Sequence, residues 1–87
     1  MRSIGFSPKA YNDLITWSVR DKKVFTKLND LIIEVARDPF KGTGKPEMLK
    51  HQYKGFWSRR ITQEHRLVYE VTESQIFIVS CDGHYTN

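Results

Sequence analysis

Residues 56–81 read FWSRRI-TQE-HRLVYEV-TES-QIFIVSC, three runs rich in β-branched and aromatic residues parted by two short polar breaks. The runs Phe56–Ile61, His65–Val71 and Gln75–Cys81 predict strands. The breaks Thr62-Gln63-Glu64 and Thr72-Glu73-Ser74 have hairpin length and leave no room for a crossover helix, so the three strands should form an antiparallel meander. If Thr62-Gln63-Glu64 is a three-residue turn, Ile61 pairs with His65 and Arg60 faces Arg66 across the ladder. Like charges directly opposed on a sheet are destabilising unless an anion or a carboxylate lies between them. Glu47, Glu64 or a phosphate could serve.

Upstream the pattern changes period. Ile4–Phe6 suits a short opening strand. Ser7-Pro8 then reads as a helix start, with Ser7 as N-cap and Pro8 in the first turn. Tyr11, Leu14, Ile15 and Ser18 or Val19 follow at helical spacing. Asp21 can cap a second helix, in which Val24, Leu28, Leu31, Ile32 and Val35 form an apolar stripe. Asp38-Pro39 stops that helix, because proline disfavours the helical region for the residue before it. Phe40–Pro46 is a loop. Two helices followed by strands predict an α+β fold, with the helical hairpin on one face of a twisted antiparallel sheet and the other face free for function. One domain over residues 1–87 is expected.

Composition narrows the function classes. Hydrophobic residues make up 39% of the chain and aromatics 13%, enough for a core to offset ordering entropy, which argues against disorder. The single cysteine, Cys81, excludes an internal disulfide framework and a cysteine-based zinc site, and it ends an apolar strand as a small core residue would. No run approaches the ~18 apolar residues of a membrane span, and the first residues carry no apolar run of signal-peptide length, so a cytoplasmic location is expected. The net charge of +4 is uneven: residues 1–38 carry +2, residues 39–70 carry +4 and residues 71–87 carry −2. A basic middle favours a polyanionic partner through counterion release.

Gly42-Thr43-Gly44-Lys45 lacks the Ser/Thr and the following helix of a phosphate loop, since Pro46 comes next. His51, His65 and His84 have no metal-site spacing, so no metal or cofactor is expected, and His51 and His65 read as surface or structural residues. Glu47, Lys50, Arg60, Arg66 and the terminal His84-Tyr85 make a different set. Attack of an RNA 2′-hydroxyl on its own phosphate needs a base for the hydroxyl, an acid for the 5′-oxygen and cations for the phosphorane. A carboxylate, a histidine and arginines supply these without metal.

Gly44-Lys45-Pro46-Glu47-x-Leu49-Lys50, Gly55-Phe56-Trp57-Ser58-Arg59-Arg60-Ile61, Glu64-His65-Arg66-Leu67-Val68-Tyr69 and Cys81-x-x-His84-Tyr85 together resemble the Txe/YoeB toxins, RelE-like members of type II toxin–antitoxin systems. The resemblance runs over essentially the whole chain. It implies a microbial-ribonuclease fold and a bacterial cytoplasmic endoribonuclease that cuts mRNA in the ribosomal A site. It also implies a YefM-like antitoxin partner, and operator-DNA binding only as the toxin–antitoxin complex; a homodimer is compatible with it. By position, Glu47 matches the general base, Arg66 the phosphate-stabilising arginine and His84 the general acid. Tyr85 matches a substrate-orienting tyrosine, and Lys50 and Arg60 match basic residues lining the site. Asp82-Gly83 stands where members often carry a basic residue and an aromatic, which puts a negative charge and a loosened backbone just before His84.

Two other functions fit the charge. A non-catalytic RNA- or ribosome-binding blocker would use the basic patch with Trp57 and Tyr85 as stacking platforms. A DNA-binding regulator fits less well, because no helix-turn-helix pattern with a basic recognition helix is present.

Overall fold

Asp21 lets two helices meet without a linker. Its backbone N–H donates to the Trp17 carbonyl at 3.0 Å and closes α1 (Pro8–Arg20), while its carboxylate accepts from the amides of Lys23 and Val24 and opens α2 (Lys22–Arg37). Ser7 caps α1 as its sequence predicts, its hydroxyl accepting from the Ala10 amide. These elements come from a computed structural model that describes residues 1–50 and 53–83.

The structure has five strands: β1 (Ser3–Phe6), β2 (Glu47–Met48), β3 (Phe56–Arg60), β4 (Arg66–Val71) and β5 (Gln75–Gly83), of which all but the two-residue β2 are predicted from the sequence. They form one sheet in the order β1-β5-β4-β3-β2. The run from β3 to β5 is the expected antiparallel meander, and β2 extends it by one short antiparallel strand. The opening strand adds a feature that hairpin lengths cannot reveal: β1 lies parallel to β5, from Ser3 opposite Gln75 to Phe6 opposite Ile78, so the sheet is mixed. The β3–β4 turn has the predicted register. The Ile61 amide donates to the His65 carbonyl at 2.9 Å, and Arg60 lies opposite Arg66.

Leu28, Leu31, Ile32 and Val35 of α2 pack with Leu67, Tyr69, Ile76, Ile78 and Cys81 of the sheet. Burying each large aliphatic side chain contributes about 1.5–3 kcal/mol. The first helix turns only part of its helically spaced apolar set to the core, with Leu14 packed against it. It buries Ala10, Asp13 and Trp17, and leaves Tyr11, Ile15 and Val19 exposed. The reason is that Asp13 and Trp17 are both engaged by β5. Asp13 accepts from the Cys81 amide at 3.0 Å, and the Trp17 indole donates to the Cys81 carbonyl at 2.8 Å.

Candidate functional site

Because Leu67 and Tyr69 of β4 point into the helix-covered core, strand alternation puts Arg66, Val68 and Glu70 on the opposite face. The register then builds two rows on that face. Glu47, Ser58, Val68 and Ser80 lie opposite one another in turn, and Arg60, Arg66 and Gly83 form the neighbouring row. Rows two residues apart along a strand are about 7 Å apart, and adjacent strands are about 4.8 Å apart. One carboxylate position and two guanidinium positions therefore lie on three neighbouring strands of the same face.

The charges in this patch are unspent. Glu47 is exposed, and neither it nor Glu64 ion-pairs with the opposed arginines, so the counter-charge that the sequence calls for is not a carboxylate among the described residues. Arg60 is exposed. Arg66 is half-buried, and its Nε–H is buried with no acceptor among the described residues. A buried donor without an acceptor costs about 1–3 kcal/mol unless a ligand or water satisfies it. Lys50 sits exposed beyond β2, outside the ladder that aligns the others. His84 and Tyr85 lie outside the described residues, as does His51.

What anchors the loop leading to β2 is a residue that charge counting assigns to the surface. Arg59 is fully buried. Its Nε donates to the Tyr69 hydroxyl at 3.1 Å. Nη1 donates to Glu34 Oε1 at 3.1 Å and to the Thr43 carbonyl at 3.3 Å. Nη2 donates to the carbonyls of Asp38 and Lys41 at 2.5 and 2.8 Å. All five guanidinium donors are used, as a charge withdrawn from water requires. Glu34 also accepts from the Thr43 amide at 2.6 Å, and this bond is the largest influence holding its carboxyl below the ordinary value, with the Arg59 charge adding to it against the effect of burial. The Tyr69 hydroxyl passes the network on to the Pro39 carbonyl at 2.7 Å, and burial raises its pKa despite Arg59 beside it. Gly42 has φ +127°, and a Cβ there would sit 1.9 Å from Glu34 Oε1. Gly44 accepts from the Arg60 amide at 2.7 Å, and a Cβ there would press on the Arg60 backbone. The glycines that faintly suggest a phosphate loop thus clasp the loop onto β3 and deliver the chain to β2.

His65 is structural, as expected. Its ring meets Trp17 edge-on at 5.0 Å, and its Nδ1 lies 3.0 Å from the Thr62 hydroxyl. Trp57 is half-buried against the core, with Phe40 at 5.1 Å, so it is not a free stacking platform. Cys81 is buried, and loss of solvent pushes its thiol up to about 12, which keeps it protonated and inert at neutral pH.

The end of β5 holds a cluster absent from the sequence reading. Lys9 Nζ donates to Asp82 Oδ1 at 2.6 Å and to Asp13 Oδ2 at 2.9 Å. Burial works against the Lys9 ammonium, but the two carboxylates outweigh it and raise its pKa; the Lys9 hydrogen bond in turn holds the Asp82 carboxyl below its ordinary value. The negative charge anticipated at Asp82 therefore has its own counter-ion. The i, i+4 spacing of Lys9 and Asp13 was a readable signal, whereas the Lys9–Asp82 contact spans 73 residues and was not.

Comparison with known proteins bears on this geometry. Residues 6–85 match the family model described as the YoeB-like toxin of bacterial type II toxin–antitoxin systems. Toxin YoeB of Escherichia coli strain K12 is 50% identical over 80 residues, covering 92% of this chain and 95% of the relative. The YoeB dimer from Staphylococcus aureus superposes with a TM-score of 0.89 at 45% identity, covering 97% of this chain and 98% of that one. The heterotetrameric YoeB–YefM complex from the same organism gives 0.86 at 44% identity, covering 98% and 99%.

Proposed function

The chain belongs to the family of YoeB-like toxins of bacterial type II toxin–antitoxin systems, and from that membership we propose that it is an endoribonuclease that cleaves mRNA in the ribosomal A site by metal-independent acid–base transesterification. The observation that carries this reading is the pair of opposed arginines, Arg60 and Arg66, with no ion pair among the described residues, on the face opposite the helices with Glu47 in the adjoining row. Such a pair is destabilising in the free protein and is relieved by a phosphate.

In the proposed mechanism, Glu47 takes the proton of the 2′-hydroxyl as that oxygen attacks the adjacent phosphorus. The phosphorane carries one more negative charge than the ground-state diester, and Arg66 stabilises it. His84 protonates the departing 5′-oxygen, leaving a 2′,3′-cyclic phosphate and a 5′-hydroxyl. Lys50 and Arg60 hold the flanking backbone, and Tyr85 orients the substrate. The protein acts in the bacterial cytoplasm and is neutralised by a YefM-like antitoxin, as in the S. aureus complex. The pair together bind operator DNA, and the toxin itself dimerises as its S. aureus relative does.

Mapping the 3′ ends of cellular mRNA after expression tests the reading. Codon-phased breaks are expected. Arrested translation with intact mRNA would instead identify an occupancy blocker, a function already weakened by the burial of Trp57. In vitro, cleavage on programmed ribosomes should survive EDTA at levels that leave the ribosome assembled. Loss of cleavage restored by a divalent ion would overturn the metal-independent mechanism.

A further inference from the structure

The pairing of β4 with β5 slips twice, between Tyr69 and Val68 and again between Val68 and Arg66. Val79 is surplus at the first slip, and one residue of Cys81–Asp82 at the second. Each slip disrupts the ladder locally and leaves backbone groups in need of other partners. The first helix supplies them. Asp13 accepts from the Cys81 amide and Trp17 donates to its carbonyl, so the peptide groups on both sides of Cys81 are held by side chains of α1. Past that point the ladder resumes with Gly83 opposite Arg66.

Lys9 ties this arrangement together. Its ammonium reaches the buried Asp13 carboxylate that holds Cys81, and also Asp82, the next residue along. Ser80 completes the cluster, its hydroxyl 3.4 Å from Lys9 Nζ and 3.2 Å from Asp82 Oδ1. The Lys9 and Asp82 side chains are 60% and 48% exposed, and a pair that open to water contributes little to stability. Its geometric effect is larger, because it fixes the residues on either side of the second slip, immediately before the strand end that faces Arg66.

We infer that Lys9 is a positioning residue, which through Asp13 and Asp82 sets the Cys81–Gly83 backbone against Arg66. This rests on the nuclease reading only for its kinetic consequence; the structural consequence can be measured in the free protein.

The test compares Lys9→Met, Lys9→Arg and Asp82→Asn with the unaltered chain, in two assays. Amide hydrogen exchange of the free protein should show Cys81–Gly83 exchanging at least tenfold faster in Lys9→Met and near its original rate in Lys9→Arg. Unchanged exchange in Lys9→Met overturns the inference, whether or not the protein cleaves RNA. On programmed ribosomes at saturation, Lys9→Met should lower the rate of the chemical step about tenfold with KM changed less than twofold, and Lys9→Arg should restore it. A raised KM with an unchanged chemical step would make Lys9 an ordinary phosphate contact and overturn the inference. Asp82→Asn, on a half-exposed side chain, should show the same two effects more weakly, and it serves as the deciding variant if Lys9→Met does not fold. Failure of the unaltered protein to cleave RNA would count against the proposed function alone, since the exchange result would still decide the positioning.

Discussion

Removing the Arg66 guanidinium should slow the chemical step more than it weakens RNA binding, because the phosphorane is more negative than the diester. The expected loss for Arg66→Ala is on the order of 10²–10³ in single-turnover rate at saturating ribosome. A wild-type rate would refute the assignment. Lys50 is a flexible point charge outside the ladder, so Lys50→Ala should chiefly weaken binding and flatten its salt dependence. Arg59 behaves differently from its neighbour. Only a planar five-donor group can serve the five acceptors around it, so Arg59→Lys should lower unfolding free energy by about 3 kcal/mol in urea titration, the scale of breaking a buried charged network. Arg59 and Arg60 are indistinguishable by charge. The hairpin register separates them, since alternation sends one into the core and the other to the open face, and that register was readable from the length of Thr62-Gln63-Glu64. What could not be read was that the core-facing arginine would find its acceptors in backbone carbonyls of residues 38–43, which no sequence pattern advertises.

At the scale of elements, the loop that leads to Glu47 is held in part by the Glu34 carboxylate, through the Thr43 amide and Arg59. Glu34 has a folded pKa below its ordinary value of 4.5, so its contribution is complete above that pH and is lost as pH falls through the folded value. Asp82, lowered by Lys9, titrates in the same sense. The urea midpoint should therefore be flat from about pH 7 to 5 and fall below pH 4.5, and Glu34→Gln should flatten part of that fall; a fall unchanged in Glu34→Gln would remove Glu34 from the account. Gly42→Ala should loosen the same clasp, because the new methyl occupies the position of the Glu34 oxygen and the residue keeps a strained positive φ. The second helix was legible in full, since its buried face is all apolar. The first was legible as a helix with its Ser7 cap and with Leu14 against the core, but its buried face also holds a carboxylate and a tryptophan that bind the Cys81 backbone, while three apolar residues at helical spacing face solvent. Periodicity identifies a helix face; it does not say which face carries hydrogen bonds to a strand nearly seventy residues away. The parallel pairing of β1 was hidden for the same reason, as its partner is separated from it by the rest of the chain.

For the molecule as a whole, charge and shape constrain how an antitoxin could silence it. The helices cover one sheet face, and the other carries Glu47, Arg60 and Arg66 without internal ion pairs among the described residues. An acidic amphipathic segment that folds on binding could neutralise the two arginines where RNA phosphate would otherwise do so, at a cost in ordering entropy that the charge-assisted bonds offset. Such a segment would compete with the proposed RNA substrate by occupying the same charges. Hydrogen exchange on the complex should then show protection over residues 45–66 and 82–87, and affinity should fall steeply with salt. A second surface offers a contrasting outcome. Tyr11, Ile15 and Val19 lie at i, i+4 and i+8 on α1 and are exposed at 58%, 47% and 85%. Protection confined to that stripe, with weak salt dependence, would mean apolar docking away from the arginines, and inhibition would have to act through α1 and its grip on Cys81 rather than by covering the site. Measuring exchange and salt dependence on one complex separates the two modes, because neutralisation of Arg60 and Arg66 weakens steeply with ionic strength and burial of the α1 stripe does not.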